Sequence, residues 1–182
     1  MSDEQLIKSC LEGNQNAFRE LIKKYESRVA ATVIGMLGKC PEADDVGQET
    51  FLRFYRSLSK FRGDSSVATY LTRIAINLSL NELKRRQRRA KLFFRQPENG
   101  KFDIVDESDD RAYSDEKEVV QKAIQELAPN YRSIIVLRLL DGYSTEEAAA
   151  ILGIPLGTAL SRLSRAQKKL KEILSPYLGE MV

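Results

Sequence analysis

Ser144-Thr145-Glu146-Glu147-Ala148-Ala149-Ala150-Ile151-Leu152-Gly153-Ile154-Pro155-Leu156-Gly157-Thr158 is the stretch that decides how this chain folds. Ser144 with Glu147 three residues on is a capping box, in which hydroxyl and carboxylate satisfy backbone N–H groups that the first turn of a helix leaves unpaired. The helix so started is short, and Gly153 sits where it must stop. Its alanines let a second helix cross closely, which is what a helix-turn-helix demands, and the second helix is then the reader. Placing Ala159, Leu163, Ala166, Leu170 and Ile173 on the buried face turns Thr158, Ser161, Ser164, Arg165 and Lys168 outward. Hydroxyls and cations suit base edges and phosphates. An ordinary helical hairpin with a solvated face shares the pattern.

Outward from this segment nearly everything else reads as helix. Ser2 with Gln5 makes another capping box, before a short amphipathic helix that stops at Gly13. Asn16 is placed to cap a second helix, in which Phe18, Leu21, Ile22, Tyr25, Val29, Val33, Met36 and Leu37 recur every three or four residues until Gly38. Pro41 suits the first position of a third, with Glu42, Asp44 and Asp45 in its favourable first turn, running on through Leu58 and Phe61 to Gly63. A fourth begins near Asp64 to Ser66 and ends strongly basic. Residues 96–114 break every period, with Pro97 and Gly100 first and a cluster of acids after, and read as a flexible acidic linker. Helices over Glu116 to Leu127, Pro129 to Leu140, Ser144 to Leu152 and about Leu156 to Leu174 follow. The expected fold is all-α: two small helical domains, residues 1–95 and 115–182, joined by that linker.

Composition excludes much. The 182 residues are 42% hydrophobic and 30% charged, a globular balance. There is no histidine, so Ser-His-Asp and Cys-His nucleophiles and His-ligated zinc are excluded. Cys10 and Cys40 lack Cys-x-x-Cys spacing and suit a reduced cytoplasmic interior. Met1 to Gln5 lacks the cationic and apolar parts of a signal peptide, and the longest nearly apolar run, Val29 to Leu37, is too short to span a bilayer. The net charge of +3 hides a pattern: residues 63–95 carry 8 basic and 2 acidic side chains, 96–120 carry 3 and 9, and 155–182 carry 5 and 2. Two basic segments separated by an acidic one point to two contacts with a polyanion, joined by something that must not stick to it.

The first basic segment holds Lys84-Arg85-Arg86-Gln87-Arg88-Arg89-Ala90-Lys91. The dipole favours cations at a helix C-terminus, but a cluster this dense exceeds that need. Neutralising about six phosphates would give log K a slope of roughly −4 to −5 against log salt. Upstream lie Arg73, Asn77, Ser79 and Asn81, with Phe61 and Tyr70 nearby, groups that could hydrogen-bond and stack on unpaired bases, although such aromatics usually belong to a core. Asp44-Asp45-Val46-Gly47-Gln48-Glu49-Thr50-Phe51-Leu52-Arg53 has one apolar face and one mixed face, either solvated surface or a protein interface.

Taken in order, Asp44-Asp45-Val46, Gln48-Glu49-Thr50-Phe51, Phe61-Arg62-Gly63, Tyr70-Leu71-Thr72-Arg73-Ile74-Ala75-Ile76-Asn77, the basic run, Leu127-Ala128-Pro129 and Gly153 to Thr158 resemble an extracytoplasmic-function sigma factor of bacterial RNA polymerase, over residues from about 5 to 175. The resemblance implies a sigma region 2 over 1–95 and a helix-turn-helix sigma region 4 over 115–182. It implies no catalysis, no cofactor and no metal. Asp44, Asp45, Gln48, Glu49 and Arg53 fall on the segment that docks on the clamp coiled coil of the polymerase β′ subunit, with the β flap a further polymerase contact. Asn77 falls where such factors capture a base flipped from the minus-10 element, with Arg73, Asn81, Lys84, Arg85 and Arg88 on the same DNA-facing helix. Thr158, Ser161, Arg162, Ser164, Arg165 and Lys168 fall on the helix that reads the minus-35 duplex. An anti-sigma factor is the implied regulatory partner, without membrane insertion by this chain.

The chain departs from the family pattern at Leu160, where Lys or Arg is frequent, at Tyr70, where Trp is usual, and at Val67, where an aromatic is frequent. Leu160 cannot hydrogen-bond a guanine and could at best touch a thymine methyl. A sigma-like decoy that binds an anti-sigma factor without reading DNA, and an autonomous helix-turn-helix regulator, are the rival readings. Flipping a base costs a few kcal/mol, which stacking of about 1 to 3 kcal/mol per base can offset. Residues 96–114 stretch at most about 65 Å, or some 19 base pairs, so one chain can hold two promoter elements.

Overall fold

A computed structural model describes residues 1–93 and 116–178. The acidic linker read at 96–114 lies outside the described residues. Those described residues hold helices and connecting turns: α1 (Asp3–Leu11), α2 (Gln15–Leu37), α3 (Pro41–Ser57), α4 (Val67–Phe93), α5 (Glu116–Glu126), α6 (Pro129–Ile135), α7 (Thr145–Leu152) and α8 (Leu156–Leu178). The architecture is all-α.

The first unit packs α1, α3 and α4 around α2. Both expected capping boxes form: Ser2 N–H donates to Gln5 Oε1 and Gln5 N–H to Ser2 Oγ, and Ser144 and Glu147 exchange the same pair. The cap of α2 is Asn14, not Asn16: extended backbone at Asn14 aims its Oδ1 at the N–H groups of Asn16 and Ala17, while Asn16 already lies inside the helix. α3 also ends earlier than expected. Ser57 turns its hydroxyl back onto the Phe54 carbonyl, and the chain tightens into a 3₁₀ turn, Leu58–Lys60, before Phe61. Ser66 then caps α4 through the Thr69 N–H. Phe54, Leu21, Met36, Leu71 and Ile76 form the fully buried centre.

In the second unit α5, α6 and α7 pack against α8. Ile124, Ile134, Ile135 and Leu137 are fully buried, and Ala148, Ala149, Ala159 and Ala166 let α7 and α8 cross closely. Gly153 adopts the left-handed conformation (φ 64°) that ends α7 at low steric cost. The helix expected from Pro129 to Leu140 runs its full length, but over Val136–Leu140 it widens into a π turn, in which Asp141 N–H reaches back to the Val136 carbonyl.

The two units touch. α2 meets α5, α6 and the π turn, and α4 meets α6 and α7. Gly35 makes the approach possible, since a Cβ there would lie 3.1 Å from Leu140 Cδ1 and Val136 Cγ2. Carbonyls in the last turn of α2 accept from the second unit, Ile34 O in addition to the Gly38 N–H of its own helix end. Gln121 Nε2 donates to Ile34 O at 2.8 Å, Gln125 Nε2 to Gly35 O at 2.7 Å and Arg132 Nη1 to Met36 O at 2.7 Å. Thr32 donates to Asp141 Oδ2 at 3.0 Å, Tyr143 OH to Thr72 Oγ1 at 3.1 Å, and Arg28 lies over the Tyr143 ring.

Candidate nucleic-acid interface

α4 presents Arg73, Asn77, Asn81 and Arg85 at four-residue spacing, a stripe that stays close to one line along a helix. Asn77, Asn81 and Arg85 are exposed; Arg73 is half-buried, with its Nε enclosed and unpaired. The lower end of the stripe opens into a cleft of about 340 Å³ between α3 and α4. Glu42, Asp45, Glu49 and Arg53 line its α3 wall, and Asn81, Glu82 and Arg85 its α4 wall. Residues that the sequence separates into a docking set and a DNA-facing set thus share one groove. Asp44 and Gln48 are exposed on the same helix α3. Glu49 and Arg53 pair with each other at 2.8 Å, leaving the acids Asp44 and Asp45 more available to a cationic partner.

The basic run is organised by a residue that sequence reasoning passed over. Glu82, only 7% exposed, lies 2.7 Å from Arg85, 3.5 Å from Arg86 and 3.1 Å from Arg89. Arg86 also bonds the Leu37 carbonyl, Cys40 Sγ and Glu42. Hydrogen bonds from its own backbone N–H and from Cys40, with the nearby Arg86 and Arg89, hold the Glu42 carboxyl below the usual range. Three of the six clustered cations are therefore tied to a buried carboxylate. Lys84, Arg88 and Lys91 are exposed and make no ion pair among the described residues. The signal was available, since Glu82 stands three, four and seven residues before its arginines.

Phe61 sits edge-on to Tyr70 and to the fully buried Phe54, and Tyr70 is tilted against Phe54, with ring centroids 5.3 to 6.1 Å apart. Each is half-buried, so these rings are first of all the outer wall of the core.

On α8, Ser161, Ser164, Arg165 and Lys168 are exposed, whereas Thr158 and Arg162 are half-buried. Ala159, Ala166 and Leu170 are buried as the periodicity required, and Leu163 and Ile173 are partly so. Ser161 spends its hydroxyl proton on the Thr158 carbonyl, which leaves its lone pairs facing outward. The main contacts of α8 are with α5, α6 and α7, whereas the first unit meets chiefly α5, α6, α7 and the π turn. No helix among the described residues is long and apolar enough to cross a membrane.

Known proteins match both helical units of the chain. A family model described as Sigma-70 region 2 matches residues 21–89, and one described as Sigma-70, region 4 matches residues 117–170. The chain is 37% identical over 186 residues to an RNA polymerase sigma-H factor of Pseudomonas aeruginosa, covering 98% of this chain and 96% of that protein. It is 35% identical over 188 residues to the ECF RNA polymerase sigma-E factor of Escherichia coli K12, covering 98% and 97%. Among solved structures, CnrH in complex with the cytosolic domain of CnrY superposes with a TM-score of 0.69 at 27% identity, covering 96% of this chain and 97% of that one. The sigma factor RpoE in complex with the anti-sigma factor NepR from Bartonella quintana gives 0.68 at 26%, covering 87% and 96%.

Proposed function

The chain belongs to the sigma-70 family, transcription initiation factors of bacterial RNA polymerase, and from that premise we propose how its surfaces divide the work of directing polymerase to promoters. Residues 1–95 dock on the polymerase β′ clamp through Asp44, Asp45, Gln48, Glu49 and Arg53, and hold the opened minus-10 strand along Arg73, Asn77 and Asn81. Residues 115–182 read the minus-35 duplex with Ser161, Ser164 and Arg165, while Arg162 and Lys168 meet phosphates. The observation that carries this reading is the α4 stripe running into the acid-walled cleft. A factor so built couples docking to strand capture, because both occur on adjoining walls.

The work is binding, not bond chemistry. Exposed amides at Asn77 and Asn81 offer a donor and an acceptor each to an unstacked base edge. Lys84, Arg88 and Lys91 follow the backbone of the opened strand. An anti-sigma factor in the cytoplasm is the regulator we assign, supported by the complexes that the related structures were solved in. The test is transcription in vitro with purified core polymerase on a promoter library: start-site-selective transcripts that depend on this chain are expected. Their absence from every template would end the proposal.

A further inference from the structure

We propose that Leu160, backed by Leu156, reads the 5-methyl group of a thymine in the minus-35 duplex, so that this recognition helix draws part of its specificity from apolar contact. The inference rests on the assignment of α8 as the duplex reader and goes beyond it, by naming the chemical group that an aliphatic side chain selects there.

Leu160 is 52% exposed and Leu156 41% exposed, one helical turn apart at the N-terminal end of α8. Single exposed leucines are ordinary on a surface. These two are stacked on the flank of the outward face, with Ser161 and Ser164 beside them and Arg165 next along. In a helix-turn-helix the N-terminal part of the second helix is what meets base edges. The occupant is set by charge: α8 carries Arg162, Arg165, Lys168, Lys169 and Lys171 against the single acid Glu172, which suits a polyanion and disfavours a purely apolar partner.

Given a duplex, the chemistry is selective. Leucine has neither donor nor acceptor. Facing guanine or cytosine it would strip water from O6, N7 or N4 and return nothing, and an unsatisfied polar group is costly. Thymine carries the apolar C5-methyl group in the major groove, so carbon meets carbon and only that base gains. Selection is thus attractive towards thymine and repulsive towards the G·C pair.

The experiment uses holoenzyme formed from the full chain and core polymerase. Duplex promoters with a randomised minus-35 element are selected for binding, and each enriched thymine is then replaced singly by deoxyuridine, which removes the methyl and keeps every Watson–Crick hydrogen bond. Expected is a loss of about three- to fivefold at one or two positions, the effect of one buried methyl. In Leu160→Ala the thymine and uracil duplexes should bind alike, at the level of wild type on uracil, closing a double-mutant cycle. Equal binding of thymine and uracil at every enriched position overturns the inference while leaving α8 as the reader. A discrimination that survives in Leu160→Ala also overturns it, as does a Leu160→Ala variant that loses polymerase affinity without altering base preference, which would make the patch a protein contact. Absence of any enriched minus-35 sequence overturns this inference and the reader assignment together.

Discussion

Arg132 Nη1 donates to the carbonyl oxygen of Met36 at 2.7 Å, so a guanidinium from the second helical unit closes the C-terminus of a helix in the first. Arg132 is 8% exposed and has no carboxylate beside it among the described residues; burial, with Arg86 nearby, holds its pKa down to about 10, which leaves it charged at neutral pH. Its compensation is dipolar: the carbonyls of Met36, Gln125 and Leu127 and the Oε1 of Gln125 surround it. Under the proposed division of work, in which each unit holds a different promoter element, we expect the contact of α2 and α4 with the second unit to open when both elements are held.

Gly35 sets how easily it opens. Gly35→Val puts branched carbon where an added Cβ alone would lie 3.1 Å from Val136 and Leu140, while within α2 itself the loss of glycine is no penalty to the helix. The radius of gyration should rise from about 16 Å for a compact chain of this length towards roughly 20 Å or more. Polymerase affinity should rise with it, because the binding-competent population is no longer taxed by closure. Small-angle scattering with a polymerase titration checks both, and an unchanged radius would show that the contact tolerates the extra carbon.

Acid should tighten the same contact. Desolvation raises the Asp141 pKa to about 6, against the opposing hydrogen bond from Thr32 and the charge of Arg28. Opening returns the carboxyl towards its ordinary value near 3.8. A group whose pKa is raised in the closed form favours that form below its ordinary pKa and loses the effect as pH climbs through the raised value. From pH 7.5 down to 5.5 the closed fraction should grow, and Asp141→Asn should be closed and indifferent to pH across that window. Scattering at both pH values reads the outcome; equal pH dependence in wild type and variant would remove Asp141 from the effect.

Much of this was legible in the one-dimensional pattern, and what was not has a physical cause. Gly38 and Gly153 end helices where the periodicity said they would, because a stop needs only local backbone freedom. The π turn at Val136–Leu140 left no such mark: it is a tertiary choice, made to fit against Gly35. Asn77, Asn81, Ser161 and Arg165 are exposed as helical spacing required. The pairing of Arg85, Arg86 and Arg89 with Glu82 escaped notice because a run of like charges draws attention to its sum rather than to the acid one turn before it.

Removing that acid's charge should change how the chain senses salt. With three cations free, binding to single-stranded DNA should follow a slope of about −2 in log K against log salt; with five free it should approach about −3.5. Glu82→Gln keeps the shape and frees Arg85 and Arg89, while Arg86 stays on Glu42 and the Leu37 carbonyl, so the slope should steepen, and fluorescence anisotropy over a salt series measures it. A slope equal to wild type would mean that the arginines already reach phosphate despite the pairing.

Asn77 separates capture from docking. Its amide is exposed on α4 and makes no side-chain bond among the described residues, so truncation leaves the fold alone. The proposed polymerase docking through α3 and duplex reading through α8 do not involve it, so Asn77→Ala should form closed complexes with near wild-type affinity. Strand opening should suffer, because the unstacked base loses a partner when unstacking still costs a few kcal/mol. A deficit of roughly tenfold in open complex follows if the lost hydrogen bonds are worth about 1.4 kcal/mol. Permanganate reactivity of unpaired thymines, set beside filter binding of the closed complex, distinguishes the two steps, and an equal loss in both would assign Asn77 to docking rather than to base capture.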